Sequence, residues 1–419
     1  MGGGSGWERK GDGGDCPGMD HLAAVALALL LGGSVIALVG QRTAAQAGPA
    51  IVLSLLLAAL AAALVLFCLH ALVQRLPAAA GLHGLLAATW GRPLARLLCA
   101  GLLLELVATA AGAAQAGARH LQWLLAGRGI DACGGLPVPA IAAIGLLVLG
   151  AIALLPPRRV ALVACALLTI KIGVGVLLFA LAARYVHYAH WVPWLPEATA
   201  PYRFGPGGVL AATVPLLGVF ASAGLALGFP GLRQRTATRQ PRVLAAALLL
   251  AMLLLIVLAA LQAGLVEFPA LASTRPLSVA LQGHPQLQWM QPLLPLAGAA
   301  GLAALQLVLL LLAMRLATAL RAPDREEGDG YPARSTTAML TLLAALLALG
   351  LPTGSLPALP GPVGLLVMVA LCLGVLRTPG QGDEASSPLR RTAMVQVLAP
   401  LAAAVCLLPA VQQVQAWAG

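Results

Sequence analysis

The chain has 419 residues, 60% of them hydrophobic and only 9% charged, with a mean hydropathy of +0.93 and a formal net charge of +11. That composition excludes a water-soluble globular domain. Hydrocarbon cannot satisfy open backbone N–H and C=O groups, so an Ala- and Leu-rich chain of this kind reads as an all-α polytopic membrane protein in a lipid bilayer.

In chain order, residues 1–20, "MGGGSGWERKGDGGDCPGMD", form a Gly-rich polar tail. The 19 uncharged residues from Leu22 to Gly40 exceed the usual signal-peptide core and read as a retained span. Apolar runs bounded by charges or by Pro/Gly clusters then give eleven spans: 21–40, 50–74, 95–118, 137–156, 160–183, 207–229, 243–266, 291–320, 336–351, 360–376 and 393–416. With the N-terminus placed in the cytoplasm, the inner segments hold 18 Arg and Lys residues and the outer ones only 6. This bias is the positive-inside pattern, so the C-terminus is expected outside, in a cell membrane. The positive charge therefore reports topology, and no nucleic-acid partner is expected.

Two spans are interrupted near their middles. The first contains "LLLGGSVIALVG", centred on Gly32, Gly33 and Ser34; the sixth contains "GGVLAATVPLLGVFASAG", with Pro215, Gly218, Ser222 and Gly224. They lie five spans apart. An odd offset sends the second unit through the membrane in the opposite sense, which is a five-plus-five inverted repeat. Broken helices at corresponding positions of two repeats mark binding sites in transporters. Their free N–H groups suit a carboxylate, and their carbonyls and hydroxyls suit an ammonium. The competing reading is that Gly and Ser only allow close helix packing. The repeats are assigned to 21–184 and 207–376, joined by an external loop at 185–206. A cytoplasmic loop at 377–392 then leads to an eleventh helix in 393–419.

Ionisable residues inside spans are functional candidates. Lys171 stands alone among apolar and small residues in "RRVALVACALLTIKIGVGVLLFALAAR", at the centre of the fifth span. Burial there disfavours an ammonium, so the group is suited to exchanging a proton during a cycle. The bland alternatives are snorkelling, awkward from a central position, and structural pairing. Glu105 in the third span reads equally as a proton relay or as a structural hydrogen-bond partner. His70 reads as a hydrated residue near the end of the second span. No P-loop, no metal-ligand cluster and no catalytic triad spacing occurs, so neither an enzyme nor a cofactor is expected.

The stretch "LAAVALALLLGGSVIALVGQRTAAQAGPAIVLSLLLAALAAAL" and the following "CLHALVQRLPAAAG" resemble amino acid permeases of the amino acid–polyamine–organocation superfamily, nearest the bacterial cationic-amino-acid-transporter-like branch. "LLLELVATAAGAAQAG", "LLTIKIGVGVLLF", "ARYVHYAHWVPWLP", "LAMRLATAL" and "GYPARSTTAMLTLLAALLALGLP" continue the likeness in order along the chain. The resemblance implies a five-plus-five fold with broken first and sixth helices. It also implies that Lys171 packs against the first and eighth spans, where sodium-coupled relatives hold a cation, and acts in proton coupling. Glu105 falls on the family's L-E-Y glutamate. The chain departs from the pattern in its first span, where Ser34 replaces a glycine. In the sixth, Leu217–Gly224 lack most of the aromatics and the terminal acid. The site is thus expected at Gly32, Gly33 and Ser34 for the carboxylate and at Phe220, Ala221 and Ser222 for the ammonium and side chain. Lys171 and Glu105 would couple protons. No carboxylate faces this site, which suits a small neutral amino acid better than a cationic one. The expected function is proton-coupled amino acid transport, with a transport-inactive permease fold acting as subunit, sensor or scaffold as the rival.

Overall fold

In the computed structural model of the chain, residues 19–77, 79, 81–126, 136–228, 240–321, 334–357, 361–378 and 388–418 are described. The tail before residue 19, the segment aligned with the family's E-E-x-x-N-P motif at 231–236, and most of the cytoplasmic loops 322–335 and 377–392 lie outside them. Among the described residues the protein is helical, with no strand beyond one isolated bridge between Ala200 and Arg203.

Among the described residues each of the eleven apolar runs becomes helical; seven helical stretches are long and apolar enough to cross a membrane, and Val138–Ala153, Arg334–Gly350 and Pro362–Arg377 are shorter apolar helices. The first run is α1 (Met19–Leu31) and α2 (Val35–Arg42), separated at Gly32–Ser34. Next come α3 (Ile51–Arg75), a short α4 (Gly81–Trp90) absent from the sequence reading, α5 (Arg92–Ala126), α6 (Val138–Ala153) and α7 (Pro157–Ala182). The sixth span is α8 (Gly205–Ala221), which tightens into a 3₁₀ segment over Ser222–Gly228. Then follow α9 (Gln240–Leu265), α10 (Pro276–Gln282), α11 (Leu293–Arg321), α12 (Arg334–Gly350), α13 (Pro362–Arg377) and α14 (Pro388–Ala418). The first expected interruption occurs at Gly32–Ser34; in the sixth span Pro215 and Gly218 lie within an uninterrupted α8, which tightens into 3₁₀ geometry only from Ser222. The span starting at 95 lengthens to Arg92–Ala126, about two turns beyond its expected end.

Proline opens α6, α7, α8, α10 and α13 within the first turn, where its missing N–H has no partner to lose. Small residues then set how closely the helices approach. In the densest pairing, α5 lies along α11. A β-carbon on Gly112 of α5 would run into the carbonyl of Pro357, so that loop rests directly on the α5 backbone.

Helix ends buried in the bundle need partners for their orphan groups, and α3 and α5 supply them. The Glu105 carboxylate of α5 accepts from the backbone N–H of Gly361, Val363 and Gly364, at 3.2, 2.5 and 2.9 Å. At the other end of α13, Arg75 donates to the carbonyls of Val375 and Thr378, at 2.7 and 3.1 Å. The α13 dipole is thus met by an acid at its positive end and a base at its negative end. Ten residues beyond Glu105, the Gln115 amide donates to Ala348 and Leu351 at the end of α12, at 2.9 and 3.0 Å.

Candidate functional site

The site grows from the break in the first span. The Gly32 N–H still closes the last turn of α1 on Ala28 at 2.8 Å. Beyond it the helix stops, leaving the carbonyls of Gly32 and Gly33 at the negative end of a half-helix. Lys171 of α7 fills that position: its Nζ donates to Gly32 O at 3.2 Å and to Gly33 O at 2.9 Å. The side chain is only 8% exposed. The Lys171 amine, on a flexible stem, thus occupies the carbonyl cluster that ends α1.

Glycine makes room for it on the opposite side. A β-carbon on Gly301 of α11 would overlap Lys171 Cδ and would stand 2.9 Å from both Lys171 Nζ and Gly32 O. Reciprocally, a β-carbon on Gly32 would overlap Ala28 O and lie 3.0 Å from Gly301 O and from Leu305 Cβ. Gly32 thus serves both readings weighed from sequence: it packs α1 against α11, and its carbonyl holds Lys171.

Above the break opens a cavity of about 1020 Å³. Its floor is Gly33, Ser34 and Lys171. Its walls are α2 (Ile36, Ala37, Gln41), the last turns of α5 (Arg119, His120, Trp123), α7 (Val174, Gly175) and the start of α11 (Pro295, Gly298). The rim is the segment between α9 and α11, with Thr274, Arg275, Ser278, Gln282, Gln288 and Gln291. No side chain caps the first turn of α2, so the positive end of that half-helix adjoins the cavity at Ser34. The guanidinium of Arg275 lies 4.5 Å over the Trp123 ring, and His120 meets Trp123 edge-on at 4.9 Å between centroids. Among the described residues no Asp or Glu lines this space.

Of the residues expected at the site, the structure brings Gly33, Ser34 and Lys171 together, with Gly32 just behind them. It does not bring Phe220, Ala221 and Ser222 to the cavity. Phe220 is fully buried, and the Ser222 hydroxyl is turned back to the Val219 carbonyl. The cause is packing: α8 lies mainly along α3 and α14, and a β-carbon on Gly224 would stand 2.6 Å from the Met368 sulfur and 2.8 Å from Leu69. Glu105 also stands apart, 14 residues below Arg119 on the same helix, roughly 20 Å along its axis. Its carboxylate accepts from three backbone N–H groups at the start of α13. From sequence alone Arg119 and Arg275 count only among the outer positive charges, and 267–290 falls between spans. The signal available was the pairing of Arg119 with His120 at a span end, and the Pro- and Gln-rich composition of 285–292.

Fold and site together define a polytopic membrane protein built as a bundle around a broken first helix, with a cavity leading to the break. No protein-family model matches the chain, and no curated protein matches it. Among solved structures it is similar to a manganese transporter of Eremococcus coleocola. Two single-residue mutants of that protein align at 15% identity over 96% of this chain and 87% of theirs, with a TM-score of 0.63. The same transporter in complex with an aromatic bis-isothiourea substituted compound aligns over the same shares at 14% identity, with a TM-score of 0.59. At such identity the likeness is one of fold.

Proposed function

We propose that this chain is a secondary transporter of the cell membrane that moves a small carboxylate-bearing solute of the amino acid class, driven by protons. The observation that carries the reading is the Lys171 ammonium on the Gly32 and Gly33 carbonyls, at the floor of a cavity large enough for such a solute. The solute carboxylate is met by the positive end of α2 at Ser34. Proton coupling runs through Lys171: charge-assisted hydrogen bonds are roughly twice as strong as neutral ones, so loss of the proton loosens the tie between α7 and the end of α1. In that cycle α1 is released to move when Lys171 is neutral and held when it is charged. With the N-terminus cytoplasmic, as the Arg and Lys bias has it, the cavity opens outward.

A metal ion as cargo is less well supported. The manganese transporter shares the fold, but among the described residues no group of three or more His, Cys, Asp or Glu side chains is placed to hold a metal. A second reading, a permease fold that does not transport, draws on the closed packing around Phe220, Ala221 and Ser222. Uptake by reconstituted vesicles separates the two. Transport predicts accumulation of solute under an inward proton gradient and its loss in Lys171→Ala. A well-folded protein that accumulates none of the amino acids under any gradient supports the non-transporting reading.

A further inference from the structure

The charge in the cavity is one-sided. Lys171, Arg119 of α5 and Arg275 line the space, while among the described residues no carboxylate does. Both arginines are accessible, Arg119 partly buried and Arg275 exposed, and among the described residues neither makes an ion pair. A cleft lined by one sign of charge raises the local concentration of the opposite sign. The Gly32 and Gly33 carbonyls are already occupied by Lys171, and the sixth-span break is packed away. A second carboxylate entering this space meets the guanidinium groups of Arg119 and Arg275, while an α-ammonium, where the solute has one, finds neutral acceptors such as Gln41, Gln282 and Ser278.

We propose that the solute is a small dicarboxylate, either an acidic amino acid or an ammonium-free dicarboxylic acid. One carboxylate would lie at the Ser34 end of α2 and the other against the guanidinium of Arg119 or Arg275, whose planar fork suits a carboxylate. The Arg275 guanidinium, 4.5 Å from the Trp123 ring centroid and exposed, is open to an entering anion. This rests on the transporter reading for its purpose, but binding tests it separately.

The test uses the purified full-length protein, with thermal shift and isothermal titration for binding and reconstituted vesicles for uptake. The probes are aspartate, glutamate and succinate against asparagine, glutamine and alanine. Binding of the diacids and not of their neutral counterparts is expected; preference for aspartate over succinate, or the reverse, identifies which of the two sources of the diacid the cavity serves. Arg119→Gln and Arg275→Gln are each expected to weaken diacid binding about tenfold or more, with Arg119→Lys and Arg275→Lys recovering part of it. Equal binding of asparagine and aspartate would overturn the proposal, as would unchanged diacid affinity in folded variants of both arginines, or silence toward every probe from a folded protein. Uptake of alanine driven by protons without diacid binding would leave the transporter reading standing and remove this one. Diacid binding without uptake would do the opposite.

Discussion

Replacing Gly301 with alanine adds one methyl group where three elements meet. The new carbon would overlap Lys171 Cδ and stand 2.9 Å from Lys171 Nζ and from Gly32 O. Gly32 cannot retreat freely, because its own surroundings include the Gly301 carbonyl and Leu305 Cβ at 3.0 Å. The lysine stem is the softer partner, so the expected response is withdrawal of Nζ from the two carbonyls. Each hydrogen bond to a charged group contributes about 1.5–3 kcal/mol, and alanine regains about 1 kcal/mol of helix propensity over glycine. The net expectation is a loss of about 2–5 kcal/mol. It should appear as a clear fall in melting temperature of the detergent-purified protein, together with loss of proton-stimulated uptake. Gly173→Ala is the control: it lies two residues from Lys171 on α7, and its β-carbon would meet nothing within 4 Å. That variant should melt at or slightly above the wild-type temperature. If Gly301→Ala behaves like Gly173→Ala in both assays, the crowding of Lys171 between α1 and α11 does not hold the break, and the switch built on it fails.

Glu105→Gln keeps the side chain's size but turns an acceptor oxygen into a donor facing backbone N–H groups. The start of α13 should then lose about 2–4 kcal/mol of stability while the proton dependence of uptake persists. Retained stability with lost proton dependence would make Glu105 a relay instead. Arg75→Met should destabilise the far end of the same helix by about 1–3 kcal/mol, read by thermal melting, and should leave solute preference unchanged. Phe220→Ala removes the largest fully buried side chain of the sixth span, so a loss of about 3–5 kcal/mol is expected with the ranking of bound solutes unaltered. A changed ranking would return Phe220 to the binding site.

The span pattern was legible because hydrocarbon imposes one rule on every segment. All eleven apolar runs of the sequence became helical units, and the Gly32–Ser34 and Ser222–Gly224 interruptions became an unwound break and a 3₁₀ turn. Lys171 was legible for the same reason, since a lone charge at bilayer depth needs a partner. What remained hidden was which partner. Glu105 and Lys171 look alike in sequence, one charge in one apolar span. Yet Glu105 accepts from the first turn of α13, more than 250 residues away, while Lys171 donates to the end of α1.

The sequence by itself determined that this is a helical bundle in a bilayer, where its helices break, and which buried charges require an explanation. Composition and local chemistry suffice for that, because backbone hydrogen bonding in hydrocarbon is satisfied within each segment. Only the tertiary structure decided that the sixth-span break is packed shut and that the cavity is built instead from α2, α5, α7 and the segment between α9 and α11. It also decided that Arg119 and Arg275, remote in sequence, face one space. Those outcomes depend on how closely neighbouring elements approach at Gly32, Gly112, Gly224 and Gly301, and such distances are set by packed elements together, never by one helix alone.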